Sequence, residues 1–261
     1  MNDAFIISAR RTPVSPVNGA YSNFNTWELA APVIRDCLRD VGVRLDQVEE
    51  VWIGNGMYGG GNPARMVSLF SQIPSGVNAK TIDTQCCSGI DAIIAGIISI
   101  QSGARNIVIA GGVESISRSP LRFKRPLSKN MAPVQYSRPP FTPWPDKDPE
   151  MVEMAAELSK IYKISRIEQI QWAINSHKKG MEAIISNKNR EELSLVPGVA
   201  LSCDSFTRRL TESVGLRSKI LSGFGENVVD SSTTSVSADA AGAVLIVSKE
   251  MLDYIKPSYK I

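Results

Sequence analysis

The chain has 261 residues, 43% of them hydrophobic and 21% charged, and 29 Lys and Arg set against 26 Asp and Glu give a formal net charge of +3. This suits one large or two modest globular domains with a buried core, and a charge so mild leaves no footprint for nucleic acid or an anionic membrane. No run approaches the roughly 20 apolar residues that span a bilayer, and the opening residues into Arg10 and Arg11 lack a signal-peptide layout, so the expected location is cytoplasmic.

Ala4 to Ser8 reads as a strand, followed by the turn-like Arg11-Thr12-Pro13. Trp27 to Val41 places apolar residues at helical spacing along one face. Val51 to Ile53 is a second short strand, running into the glycine-rich stretch Gly54 to Gly61. Asn62-Pro63 then opens a helix, with Asn as cap and Pro at the first helical position. Lys80 to Gln85 and Ile107 to Ala110 are further strands, and helices between strands at this spacing predict an α/β layered core. Ser119 to Pro145 holds seven prolines and reads as a surface excursion rather than sheet. Met151 to Tyr162 and Arg166 to Ile185 are helical, the second with a capping box of Ser165 and Glu168. Strand character returns only at Ala243 to Ser248, so the economical architecture is a core interrupted by an insertion.

The helix from Ser88 to Ser102 is apolar on nearly every side, which predicts burial all round, a layer both above and below it, and apolar surface left available wherever these residues do not supply the second layer. Gly89 and Gly96 within it suggest close approach by neighbouring backbone. The strand before it delivers Cys86 to its start, where unpaired N–H groups and the helix's positive end favour thiolate and can serve an oxyanion. The competing reading is a pair of inert packing cysteines, Cys86 and Cys87. The four cysteines, at 37, 86, 87 and 203, make no zinc pattern and are expected as reduced thiols. With His177 as the single histidine, the chain has almost no choice of imidazole base.

Gln85-Cys86-Cys87-Ser88-Gly89 resembles the nucleophile motif of thiolases, where Gln-Cys-Ser-Ser-Gly or a close variant starts a buried helix. In order around it stand Arg11-Thr12-Pro13, Gly54-Asn55, Asn62-Pro63-Ala64-Arg65 and Ala110 to Ser115. Ile164 to Gln169 and Ala173 to His177 are similar to the family's loop domain, and Asp239-Ala240-Ala241-Gly242-Ala243 resembles its returning segment. The resemblance implies a thiolase-like layered α/β fold, N-terminal half only, with an inserted helical loop domain: residues 1–117 and 228–261 as core, 118–227 as the CoA-binding insertion.

By the same resemblance Cys86 is the nucleophile that carries an acyl group as a thioester, in synthesis or thiolysis of acetoacetyl-CoA or a 3-ketoacyl-CoA. Ser235 is implied near the pantetheine of coenzyme A, Arg208 near its adenine end, and Met151 at the acyl pocket. CoA thioesters enter as substrates, and no cofactor or metal is implied. A homo-oligomer, dimer or tetramer, is expected. The family's Gly-His-Pro histidine and Cys-x-Gly-Gly-Gly cysteine do not occur in these residues. His177 matches a loop-domain helix position and does not replace them. Glu150 stands where short-chain members often have histidine, and Ala240 where the returning motif has glycine. A chain inactive alone is expected, and four readings remain open: a fragment of a longer enzyme, a subunit awaiting a separate C-terminal half, a non-catalytic acyl-CoA-binding remnant and a ketoacyl-synthase-like condensing enzyme.

Overall fold

The computed structural model describes residues 2–225 and 227–256. The chain divides into two compact units: Met1–Pro120 with Asn189–Phe206 and Ser237–Ile261, and Leu121–Lys188 with Thr207–Val236. Compactness therefore cuts the chain elsewhere than at 117 and 228, and residues 257–261 of the expected core lie outside the described residues.

The first unit opens with β1 (Ala4–Arg11), the short β2 (Ser15–Pro16) and α1 (Thr26–Asp40). It continues through β3 (Glu50–Gly54), α2 (Pro63–Phe70), β4 (Asn78–Ile82), α3 (Ser88–Gln101) and β5 (Ile107–Glu114). The Asn62 side chain accepts the Arg65 N–H at 3.2 Å, so the expected cap and start of α2 are in place. The second unit contributes β6 (Arg122–Lys124), β7 (Val134–Tyr136), α4 (Met151–Ile161), α5 (Arg166–Ile185), α6 (Glu212–Leu216), β8 (Ile220–Phe224) and β9 (Asn227–Asp230). The chain then returns to the first unit as β10 (Ala238–Ser248) and α7 (Lys249–Ile255).

The sheet order is β1-β10-β5-β3-β4, with β2 against the start of β10. β10 runs antiparallel to both β1 and β5, while β3 is parallel to β5 and β4. As expected, the returning strand and the strand after α3 share one sheet. It begins at Ala238 rather than Ala243, because Ala240 to Val247 pair continuously with β5. Alternation along β5 sends Ile107, Ile109 and Val113 into the larger core with α1 and α2, and Val108 and Ala110 to the face under α3.

For α3 the burial expected all round is found on one side, and the apolar surface expected to stay available is found on another. The helix buries Ser88, Ala92, Gly96 and Ile100, one line at four-residue spacing, and leaves Ile90, Ile94 and Ile98 exposed at 63%, 47% and 58%. Among the described residues a layer covers one side of the helix and none covers the line of Ile90, Ile94 and Ile98. Its glycines do allow close approach. A Cβ on Gly96 would lie 2.9 Å from the Ile246 side chain, and Gly89 faces the Gly112 backbone. Glu50, buried beneath α3, accepts Ser99 Oγ at 2.5 Å, Lys80 Nζ at 2.6 Å and Trp52 Nε1 at 2.9 Å. It thereby ties the helix to β3 and β4.

Residues 189–206 join the first unit through arginines. Arg10 pairs with Asp40 through two contacts of 2.6 Å and donates to the Glu191 carbonyl. Arg11 holds Glu192 at 2.8 Å and Asp204 through 2.8 and 3.0 Å contacts, and Asp204 also accepts the Val14 N–H. Bidentate charge-assisted bonds of this kind fix orientation as well as adding energy.

The second unit is helical with two small hairpins, β6–β7 and β8–β9. The proline-rich stretch thus carries a short hairpin where no sheet was expected, and strand structure resumes at Ile220, ahead of β10. The Ser165–Glu168 capping box is present. Arg166 at the start of α5 meets fully buried Asp230 at 2.8 Å and donates to the Gly215 and Ser218 carbonyls.

Candidate functional site

β4 ends at Ile82, three residues earlier than its sequence suggests, because the following backbone N–H groups are captured by side chains. Asp83 Oδ1 accepts the Gln85 N–H at 3.0 Å, and Ser88 Oγ accepts the Thr84 N–H at 3.0 Å while donating to the Gln85 carbonyl at 2.6 Å. Thr84 Oγ1 donates to Asp91 at 2.5 Å. Gln85 to Cys87 form a single 3₁₀ turn from which α3 continues. Cys86 sits in the middle of that turn with its thiol free and exposed. Gln85, immediately before it, has φ +60°, a left-handed conformation that costs a residue with a Cβ about 1 kcal/mol or more.

One expectation changes here. The N–H groups of Cys87 and Ser88 bond to the carbonyls of Thr84 and Gln85, so these two donors close the turn rather than point outward to an oxyanion. Cys87 is exposed beside Cys86, whereas Cys37 is buried, donates to the Ala243 carbonyl at 3.4 Å, and has its thiol pushed up to about 12 by burial.

A cleft of about 460 Å³ opens beside Cys86. Gly89, Ile90 and Ile93 of α3 form one wall, Gly111, Gly112, Gly242 and Ala243 are among the strand residues beneath, and Arg10, Arg11 and Glu192 complete the lining. The cleft is mostly apolar with charge supplied by the arginine–carboxylate cluster. There the Asp204 carboxyl lies below its ordinary range: burial works to raise it, and donation from Arg11 and Val14 outweighs burial.

The other expected site residues, Met151, Arg208 and Ser235, belong to the second unit. Met151 is the first residue of α4 and is 61% exposed, at the head of an exposed stripe with Met154, Leu158 and Ile161. Arg208 is exposed, and its backbone N–H donates to His177 Nδ1 at 3.4 Å. His177 is half-buried on α5 and titrates below its usual value, first through burial and then through the Arg208 charge. Ser235 is exposed just beyond a turn wound about Asp230, whose carboxylate accepts the Ser232 N–H and hydroxyl and whose carbonyl accepts Thr233 and Thr234. Sequence reasoning missed Asp83, Thr84 and Ser88 as the clamp on the Cys86 turn, although an Asp two residues before a captured N–H is the spacing of an Asx-turn. Among the described residues no group of three or more His, Cys, Asp or Glu could hold a metal ion, and no helix is long and apolar enough to cross a membrane.

Residues 4–250 match the family model described as thiolase, N-terminal domain. VraB of Staphylococcus haemolyticus, placed by its name with acetyl-CoA C-acetyltransferases, is 34% identical in a match that covers 96% of this chain and 66% of VraB. YhfS of Bacillus subtilis, placed by name in the same group, is 33% identical over 248 residues, 95% of this chain and 64% of YhfS. The crystal structure of the Bacillus anthracis acetyl-CoA acetyltransferase superimposes with a TM-score of 0.90 at 26% identity, covering 99% of this chain and 68% of that one. The chain thus spans about two thirds of the length of the relatives it matches. With a family model matched along nearly its whole length and the corresponding α/β fold in place, this chain belongs to the thiolase family.

Proposed function

We propose that this chain is the nucleophile-bearing part of a thiolase-type acyltransferase and that Cys86 carries the acyl group. The observation that carries the reading is Cys86 itself: an exposed thiol on a strained, side-chain-clamped turn at the head of a helix packed on glycines, with an apolar cleft beside it. In the acylation step the Cys86 sulfur attacks the thioester carbonyl carbon, a new C–S bond forms and the bond to the CoA sulfur breaks. The Cys86 proton leaves to solvent or a base, and the released CoA thiolate takes one up. In condensation an acetyl-CoA carbon that has lost a proton takes the acyl group, forming a C–C bond as the bond to Cys86 sulfur breaks. In the reverse direction Cys86 attacks the 3-keto carbon of a 3-ketoacyl-CoA, and the C2–C3 bond breaks as acetyl-CoA leaves with a proton on its carbon. The CoA thiol then takes the acyl group from Cys86.

The second unit is, in this reading, the inserted helical loop domain that holds coenzyme A, with Ser235 toward the pantetheine, Arg208 toward the adenine end and Met151 at the acyl chain. Condensation also needs a base for the acetyl-CoA carbon acid, and general base catalysis contributes on the order of 10²–10⁴-fold. The histidine and second cysteine that serve this in the family are not among the 261 residues. The exposed line of Ile90, Ile94 and Ile98 suits a packed partner layer, since contiguous exposed apolar surface marks interfaces. A polypeptide carrying those motifs is the proposed occupant, and pairing with a second copy through the sheet is the proposed oligomer.

The test is incubation with acetyl-CoA and peptide mass spectrometry, beside an acetoacetyl-CoA cleavage assay with and without a polypeptide bearing the missing motifs. Acetylation at Cys86, negligible turnover alone and turnover on complementation are expected. Acylation confined to Cys37 or Cys203, or full turnover by the 261 residues alone, overturns the reading.

A further inference from the structure

We propose that Asp83 is a positioning residue for Cys86, acting through the backbone of Gln85. The inference rests on the reading of Cys86 as the acylated thiol.

Six non-glycine residues among those described have positive φ. Gln72, Lys163, Asn187 and Lys256 each stand at the C-terminal end of a helix, where a left-handed residue is the ordinary stop. Asn18 lies in a turn, and asparagine tolerates this region. Gln85 differs from all of them. It is the first residue of the 3₁₀ turn that leads into α3, where nothing about helix termination asks for φ +60°, and the next residue is the exposed thiol. Glutamine has no side-chain shape that favours the conformation, so the surroundings must impose it.

They do so through polar side chains on both sides of the peptide. Asp83 takes the Gln85 N–H and Ser88 takes the Gln85 carbonyl, so both polar ends of this one residue are held by side chains from outside it. Ser88 is buried and also serves the Thr84 N–H, whereas Asp83 is exposed. Asp83 lies beside Gly56: a Cβ there would stand 3.4 Å from Asp83 Oδ1 and 3.6 Å from Glu114 Oε1, ordinary contact distances. Glu114 is occupied with the Gly56 and Met57 N–H groups and Asn55 Nδ2, which fixes the loop wall against which Asp83 rests. An exposed carboxylate whose recorded bond is to the backbone of a strained residue next to the thiol contributes little to packing. Its effect falls on the direction in which Cys86 presents its sulfur.

The experiment compares two reagents on the 261-residue chain. Acetyl transfer from acetyl-CoA depends on the direction of the sulfur, and misplacement by about 1 Å costs on the order of 100-fold. Iodoacetamide, a small free reagent, needs only an exposed thiolate. Asp83→Ala is expected to slow acetylation of Cys86 about tenfold or more, with iodoacetamide labelling changed by no more than about twofold and the melting temperature unchanged. Asp83→Asn keeps an oxygen acceptor and is expected to restore acetylation to within about threefold of the unaltered chain. Gln85→Gly adopts positive φ without strain, so Asp83→Ala in that background is expected to lose about threefold or less. Acetylation of Asp83→Ala at the unaltered rate overturns the proposal, as does an Asn variant as slow as the Ala variant, because charge and not the hydrogen bond would then act. Equal slowing with both reagents alongside a lowered melting temperature assigns a merely structural role and also overturns it. An unaltered chain that is never acetylated at Cys86 refutes the nucleophile reading itself, and the positioning role with it.

Discussion

Gly54 lies so close beneath Ser88 that a Cβ on Gly54 would stand 2.4 Å from the Ser88 carbonyl carbon. The contact is backbone on backbone, so no rotamer change relieves it, and the last residue of β3 sets the height of the turn carrying Cys86 above the sheet. Gly54→Ala is expected to destabilise the chain by about 1–3 kcal/mol through overpacking. It should also slow acetylation of Cys86 by lifting the start of α3. Denaturant unfolding beside the mass-spectrometric acetylation assay measures both, and an unchanged midpoint would mean that the helix is not held at this height.

The stripe on α3 makes a different prediction. Ile94→Ser with Ile98→Ser should alter stability by no more than about 0.5 kcal/mol each, because the residues face solvent in this chain. The same pair should reduce binding of a hydrophobic dye and abolish complementation by a polypeptide bearing the family's second-half motifs. A large loss of stability would show that a layer within this chain already covers them.

Acid should weaken both units. The Asp230 carboxyl lies below its ordinary value: burial alone would raise it, but Ser232 and Arg166 hold it ionised. Glu50 behaves alike, with burial outweighed by Lys80, Ser99 and Trp52. A carboxylate whose folded pKa is depressed adds stability above its unfolded pKa, and that stability is lost as pH falls through the folded one. Melting temperature is therefore expected to fall as pH drops below the ordinary carboxylate range. Asp230→Asn should flatten the dependence and cost about 1–3 kcal/mol at neutral pH. A profile of identical slope in the variant would remove Asp230 from this account.

Alkylation near pH 8 should separate the cysteines. Cys86 and Cys87 are exposed and should react in the folded chain, whereas Cys37, buried with its thiol pushed up to about 12, should react only on unfolding. Peptide mapping of labelled protein with and without denaturant decides it.

Much of this protein was legible in the residues themselves. Asn62-Pro63 and Ser165 with Glu168 state where helices begin, since capping is settled within four residues of chain. The ordered thiolase motifs around Gln85-Cys86-Cys87-Ser88-Gly89 identified the family, because its chemistry requires particular residue types in a particular order. What lay beyond reach depended on partners distant in sequence. That α3 buries one line and exposes another follows from how many layers are present, which helical periodicity does not encode. The attachment of residues 189–206 to the first unit rests on Arg10 and Arg11 meeting the Glu191 carbonyl and the Glu192 and Asp204 carboxylates, 181 to 193 positions away. The left-handed turn at Gln85 was hidden for a different reason: its clamp is local, but glutamine carries no signal for positive φ, and only the folded turn shows Asp83 and Ser88 holding both polar ends of the residue.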